Sequence, residues 1–250
     1  PYKMRNVISM QLRSIELPNS WYLFDDIKKT NFFYANSPDI DGSGNYRYRV
    51  RIEPGNYDVN SLKENLIYEI DTGGGVFQPD SGFPLVIDIN NYNGKTTITH
   101  SNPLSPNFEL DFNIDNRDSP FNMGWALGFR MNKYTGNFTY TSEGLYNAGT
   151  QKYLFFIVKD FQNHTNDKII ALFQKSYMAK DILAKIPLSS SSFTILFEEQ
   201  NNSARKREYL SPVDINKLEF QIVDEYGDTV NLNNMDFSVT LQFECLYDQE

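Results

Sequence analysis

With 250 residues, the chain has length for one large all-β domain or two small ones, each able to bury a core. A formal charge of -9 and an isoelectric point near 4.8 disfavour a protein that wraps nucleic acid through a broad basic surface, because neutralising phosphates takes clustered Lys and Arg. A single cysteine, Cys245, excludes an internal disulfide framework, and the 19 Phe and 16 Tyr suit the half-buried faces of pleated sheets.

No apolar run is long enough to span a membrane, and the start, PYKMRNVISMQLRSIEL, lacks the apolar stretch of a signal peptide, so a soluble chain is expected. The first strand is VISMQLRSIEL at 7–17. Ile8, Met10 and Leu12 share one parity and Ile15 and Leu17 the other, so a bulge near Arg13-Ser14 is needed to keep all five on one face. Pro18-Asn19 ends this strand, and Trp21, Leu23 or Phe24 re-enters the core.

Residues 36–45, NSPDIDGSGN, read as a turn-rich connection. Asp39-x-Asp41-x-Ser43-Gly44 has the spacing that opens a calcium loop, but Val50 stands where the closing bidentate Glu belongs, so a solvated connection is expected. In YRYRVRI at 46–52, Tyr46, Tyr48, Val50 and Ile52 form one strand face. Arg47, Arg49 and Arg51 form the other, suited to pairing with acidic neighbours. NSLKENLIYEI at 60–70 predicts a helix: Ser61 and Glu64 have capping-box spacing, and Leu62, Leu66, Ile67 and Ile70 make an apolar stripe. Gly73 to Gly75 follow without the lysine or spacing of a phosphate loop.

LVIDI at 85–89, TTITH at 96–100 and FELDF at 108–112 are short strands, and SPFNMGWALGF at 119–129 holds at most a helical turn, since its glycines discourage a long helix. Further strands are expected at 138–140, 153–158 and 182–186. Three triplets, at Asn137, Asn163 and Asn201, match the glycosylation acceptor pattern, which matters only where a glycosylation machinery meets the chain. Arg205-Lys206-Arg207 follows loop-like residues and reads as a solvated loop or a protein contact rather than a nucleic-acid site.

In LEFQIVDEYGDTVNLNNMDFSVTLQFE, residues 218–244, Leu218, Phe220 and Ile222 alternate with other residues. The pattern breaks at Asp224-Glu225-Tyr226-Gly227 and resumes at Val230 and Leu232. It breaks again at Asn233 to Asp236, and Phe237, Val239, Leu241, Phe243 and Cys245 then form one apolar, core-facing row. Asp224, Glu225, Asp228 and Asp236 sit at the breaks, where Asp, Asn and Gly serve turns. A two-carboxylate hydrolase would hold its acids across a scissile bond, and nothing in the spacing requires that separation. His100 and His164 are isolated, neither G-x-S-x-G nor HExxH occurs, and Cys245 lies in an alternating run as an ordinary strand residue. No catalytic, cofactor-binding or metal residue is assigned. The resulting fold is all-β: an antiparallel jelly-roll sandwich with long loop insertions and one or two short helices.

ILAKIPL at 182–188 and REYLSPVDINKLEFQIVDEYGDTVNLNNMDFSVTLQFECLY at 207–247 resemble capsid proteins of the large icosahedral DNA viruses, specifically the single jelly-roll penton or minor capsid group. MQLRSIELPNSWYLF at 10–24, RIEPGNYDVNSLKENL at 51–66 and MGWALGF at 123–129 extend the resemblance in order along most of the chain. It implies one jelly-roll domain over 1–250 with insertions and a subdivision near 145–150. It also implies a structural, non-enzymatic role without cofactors, as a penton subunit or a minor capsid protein bridging or cementing major capsomers; of the two, a penton subunit closing five-fold vertices is the role expected. The implied partners are a homopentamer or a heteromeric shell with major and minor capsid proteins. The implied location is the virion capsid, assembled inside the infected host cell, without direct nucleic-acid binding. Pro212, Asp224, Tyr226, Gly227, Asn231, Asn233 and Asp236 carry over as loop and strand-end determinants. Two other classes stay open on the residues: an acid-dependent hydrolase, and a carbohydrate-binding or adhesion sandwich, for which Trp21 and Trp125 are the residues to inspect.

Overall fold

The computed structural model describes residues 3–38, 45–72, 85–101, 107–116, 122–147, 152–162, 165–166, 169–173, 178–179, 181–189, 191–199 and 206–247. In chain order these form β1 (Met4–Pro18), β2 (Phe32–Pro38), β3 (Asn45–Arg51), α1 (Val59–Thr72), β4 (Leu85–Ile89), β5 (Thr96–His100), β6 (Phe108–Asp111), α2 (Met123–Ala126), β7 (Lys133–Asn137) and β8 (Thr139–Thr141). There follow β9 (Tyr153–Lys159), β10 (Thr165–Asn166), β11 (Ala171–Leu172), β12 (Met178–Ala179), β13 (Ile182–Pro187), β14 (Ile195–Glu199), β15 (Lys206–Ile215), β16 (Glu219–Val223) and β17 (Ser238–Cys245). Among the described residues all the strand pairings are antiparallel, and the mostly β architecture with two short helices agrees with the jelly-roll sandwich expected from sequence. The chain divides into two compact units, one formed by Pro1–Trp21 with Gln151–Glu250 and the other by Tyr22–Thr150.

In the first unit, β1 is the central strand of a five-stranded sheet. β17 pairs with it from Val7 to Glu16, a span that overlaps the pairings of both β15 (Met4–Gln11) and β14 (Ser14–Pro18). A strand has only two flanks, so β15 and β14 share one and β17 holds the other. The bulge expected at Arg13 is present: the β1–β17 register slips between Leu12 and Ser14, and Leu12, Ile15 and Leu17 are all fully buried. A second slip, between Val7 and Ser9, corrects the placement of Ile8, which turns off the core face while Val7 and Met10 are buried. The second sheet, β13-β9-β16, shares with the first a core that includes Val7, Met10, Leu12, Phe156, Val158 and Ile186. β9 is buried on both faces, because Phe155 and Ile157 pack on its far side with Phe173, Ile182 and Val223; its run of unbroken apolar residues is the pattern of such a strand.

The second unit combines a four-stranded sheet, β3-β2-β6-β7, with a three-stranded sheet, β4-β5-β8, around one core that holds Phe33, Phe108, Phe112, Ile87 and Ile98. β2 carries FFYANSP: residues 32–35 have no assignment from sequence, and the connection expected from residue 36 is corrected at its start, because Asn36, Ser37 and Pro38 pair with Arg47, Tyr46 and Asn45 of β3. Helix α1 buries Leu62, Leu66 and Ile70 in this core, each worth roughly 1.5–3 kcal/mol when fully enclosed. Two expectations for the helix are corrected. Its first turn is capped by Asp58, whose Oδ1 accepts from the Ser61 N–H at 2.8 Å, because the helix begins ahead of Ser61. Ile67 is exposed, since it lies off the 62–66–70 line. α2 is a single turn, opened by the Asn122 side chain accepting from the Trp125 N–H. It is closed by Gly128 at φ +95, where a Cβ would meet the Gly144 carbonyl oxygen at 2.7 Å. The strand expected at 138–140 runs instead over β8, with Phe138 exposed between β7 and β8.

Candidate functional site

The acidic terminal stretch resolves into two separate connections. In the first, Asp224 is buried and its Oδ1 accepts from the backbone N–H of Tyr226 and of Asp228, both at 3.0 Å. Its own N–H donates to the Asp228 carbonyl, and the Gly227 N–H, with Gly227 at φ +92, donates to the carbonyl of Asp224. One carboxylate thus organises a whole turn after β16, a use of Asp that needs no substrate. Burial, with Glu225 beside it, pushes the Tyr226 phenol up to about 12. In the second connection, Asn233 and Asn234 take positive φ, the Asn231 side chain accepts from the Asn233 N–H, and the Asn233 amide donates to the Ser20 carbonyl. Asp236 is exposed just before β17; Pro212, expected at a loop or strand end, lies instead within β15, exposed where the β1–β15 register is irregular.

The most enclosed polar cluster lies elsewhere in the first unit. Arg207 and Asp160 are almost wholly buried, and Arg207 Nη1 donates to Asp160 Oδ2 at 2.8 Å and to the Val158 carbonyl at 2.7 Å. The Tyr209 hydroxyl donates to the same Oδ2 at 2.7 Å, and the Gln162 N–H donates to Oδ1. Burial, then the hydrogen bond to Asp160, raises the Tyr209 phenol well above the ordinary tyrosine range. This corrects the reading of residues 205–207: Lys206 and Arg207 are strand residues of β15, and Arg207 faces inward because it alternates with the outward Lys206 and Glu208. Arg205 lies outside the described residues. The cluster joins β15 of one sheet to the end of β9 in the other. Its sequence signal was thin: an arginine sharing strand parity with Tyr209, and an aspartate closing the apolar run YLFFIVK.

The arginine stripe of β3 behaves as expected from its pattern. Arg51 forms a two-point ion pair with Asp26, which holds that carboxyl below its ordinary range, and Arg47 reaches Asp111 at 3.3 Å. Arg47 and Arg49 also lie over the rings of Tyr34 and Phe32, at 3.9 and 4.0 Å from their centroids. These contacts occupy the basic groups on the sheet's own surface. The incomplete calcium-loop residues Asp39, Asp41, Ser43 and Gly44 lie outside the described residues, as do Gly73 to Gly75, His164, Asn163 and Asn201. His100 is buried against Phe108. Among the described residues no group of three His, Cys, Asp or Glu side chains gathers as metal ligands. Trp21 is 3% exposed, in the core of the first unit, and offers no open ring for a sugar, while Trp125 is half-buried with the Arg130 guanidinium over one face of its ring.

The terminal strand departs from its expected place. Val239, Leu241 and Phe243 do turn toward the core, but each is only half-buried, Phe237 is 38% exposed and Cys245 is exposed. The reason is position: among the described residues β17 pairs on one flank only, so no described strand shields its inward row from the side.

No family model matches the chain, and no curated protein does. Among solved structures, the chain is similar to the crystal structure of the selenomethionine-labelled mavirus penton protein, at 11% identity, with 98% of this chain and 95% of that chain covered and a TM-score of 0.46.

Proposed function

We propose that the chain is a structural subunit of an icosahedral virus shell, and within that role a penton subunit closing the five-fold vertices. The observation that carries this reading is the use made of the acids in the 207–247 stretch, the stretch with the most informative capsid resemblance. Asp224 is consumed by a turn between strands, and the neighbouring connection is built from asparagines. A hydrolase would instead hold two acids around a substrate, one protonated and one ionised. The surrounding strands form a sandwich, whose loops and sheet edges are free to meet neighbouring subunits. Cryo-electron microscopy of intact particles tests the reading: density for this chain at the five-fold vertices is expected, density between major capsomers would make it a minor capsid protein, and absence from the shell would reject both.

A further inference from the structure

β17 is an edge that no other described strand guards. It pairs with β1, and no other described strand adjoins it. Both register slips in that pairing place the extra residue on β1, at Ile8 and Arg13, so β17 runs unbroken through eight residues. Its sequence, SVTLQFEC, has no proline, lysine or glycine, and its one charge, Glu244, already accepts from Ser9 and Lys206. Natural sheet edges are ordinarily blunted by such residues or by a bulge; an edge with neither presents a row of backbone donors and acceptors to another strand.

The same sheet has a second open edge on its opposite side. β14 borders β1 at the level where β17 does, since Glu16 aligns with Ser238 on one flank and with Phe197 on the other. No described strand pairs with the outer side of β14. Its Ile195 and Phe197 are 70% and 59% exposed, while Leu196 between them is buried.

We propose that β17 of one copy pairs with β14 of the next, continuing the sheet from subunit to subunit. Both strands run antiparallel to β1, hence parallel to each other, and a rotation about an axis along the strands preserves that direction. The two partners contribute different edges, so the contact is head-to-tail and repeats until a ring closes. In the joined sheet the neighbour's Leu196 lies on the core side beside Val239 and Leu241, shielding the half-buried row. Its Ile195 and Phe197 lie on the outer side beside Ser238 and Thr240. Pairing of β17 with a second β17 would leave Ile195 and Phe197 uncovered, whereas the head-to-tail contact satisfies both edges of every copy. The inference rests on the shell reading only for the supply of repeated copies.

Differently tagged full-length chains test it, all carrying Cys245→Ser. One bears Phe197→Cys and the other, in separate trials that scan the stagger, Ser238→Cys, Thr240→Cys or Gln242→Cys. Oxidation of the co-expressed chains, both purified at high concentration and within particles, should give a cross-linked pair containing one chain of each kind. The double variant Thr240→Lys with Gln242→Lys, at exposed outward positions, should abolish association while leaving thermal unfolding nearly unshifted. Cross-links between two Thr240→Cys chains would replace the proposal with a β17–β17 dimer. No mixed cross-link at any of the three positions would overturn it, even with the chain located in the shell by microscopy. A mixed cross-link from a chain absent from the shell would instead sink the shell reading and keep the edge pairing.

Discussion

Asp160 shows how much one enclosed carboxylate is asked to hold. Its two oxygens accept from Arg207, Tyr209 and the Gln162 backbone, and removing it takes from the buried guanidinium its nearest carboxylate, with Asp181 at 3.9 Å remaining, and from the Tyr209 phenol its acceptor. Asp160→Ala should therefore cost about 3–5 kcal/mol in a chemical denaturation series, mostly the penalty of a buried charge that loses its main partner. Asp160→Leu combined with Arg207→Met and Tyr209→Phe should recover most of that loss, because an apolar trio of similar volume no longer needs the pairing. A second residue-scale expectation concerns alkali. Tyr226 has a folded value raised from 10.0 to about 12, so the folded state keeps its phenol proton longer than the unfolded chain does. The stability linked to it is complete below pH 10 and is lost as pH rises through about 12. Tyrosinate absorbance should show a step near that value, absent in Tyr226→Phe.

At the scale of elements, β17 separates what alternation reveals from what it hides. The period-two pattern of Val239, Leu241 and Phe243 correctly marks which face turns inward, yet says nothing of what lies on the strand's two flanks. Phe243→Ala should thus cost about 1–2 kcal/mol rather than the ~3–5 typical of a fully enclosed ring, and Gln242→Ala should fall within about 0.5, both read from urea midpoints. Local signals were legible wherever chain geometry is decided by neighbours in sequence: the span of α1, the single turn of α2 and the Asp224 turn; the bulge at Arg13 was legible because the apolar parity changes between Leu12 and Ile15, although its partner strand is distant. They failed where a distant partner decides. Ile8 is displaced by a slip against a strand from the far end of the chain, and Arg207 is drawn inward by an aspartate 47 positions away. The helix cap was missed by one turn because Ser61 and Asp58 are both competent caps, and only the start at Val59 selects between them.

At the scale of the whole molecule, each of the two units encloses buried clusters of its own. Residues Tyr22–Thr150 enclose their own cluster, from Phe24 to Tyr140, and do so within a continuous segment. Expressed alone, that segment should unfold in a single cooperative transition by circular dichroism, and a non-cooperative melt would show that it depends on the remainder. The other unit has no such continuity. Its central strand, β1, finds its partners only near the opposite end of the sequence; Ser238 hydrogen bonds to Glu16 across 222 positions. On a ribosome adding about 5–20 residues each second, β1 waits roughly 10–45 s for β17 to be made. Until β14 and β15 follow, Met10, Leu12, Ile15 and Leu17 have no sheet to enter, while the intervening segment can already collapse around its own core. Chaperone occupancy while β1 awaits its partners, and a strong temperature dependence of soluble yield, are thus consequences of making the middle strand of a sheet long before the strands that flank it.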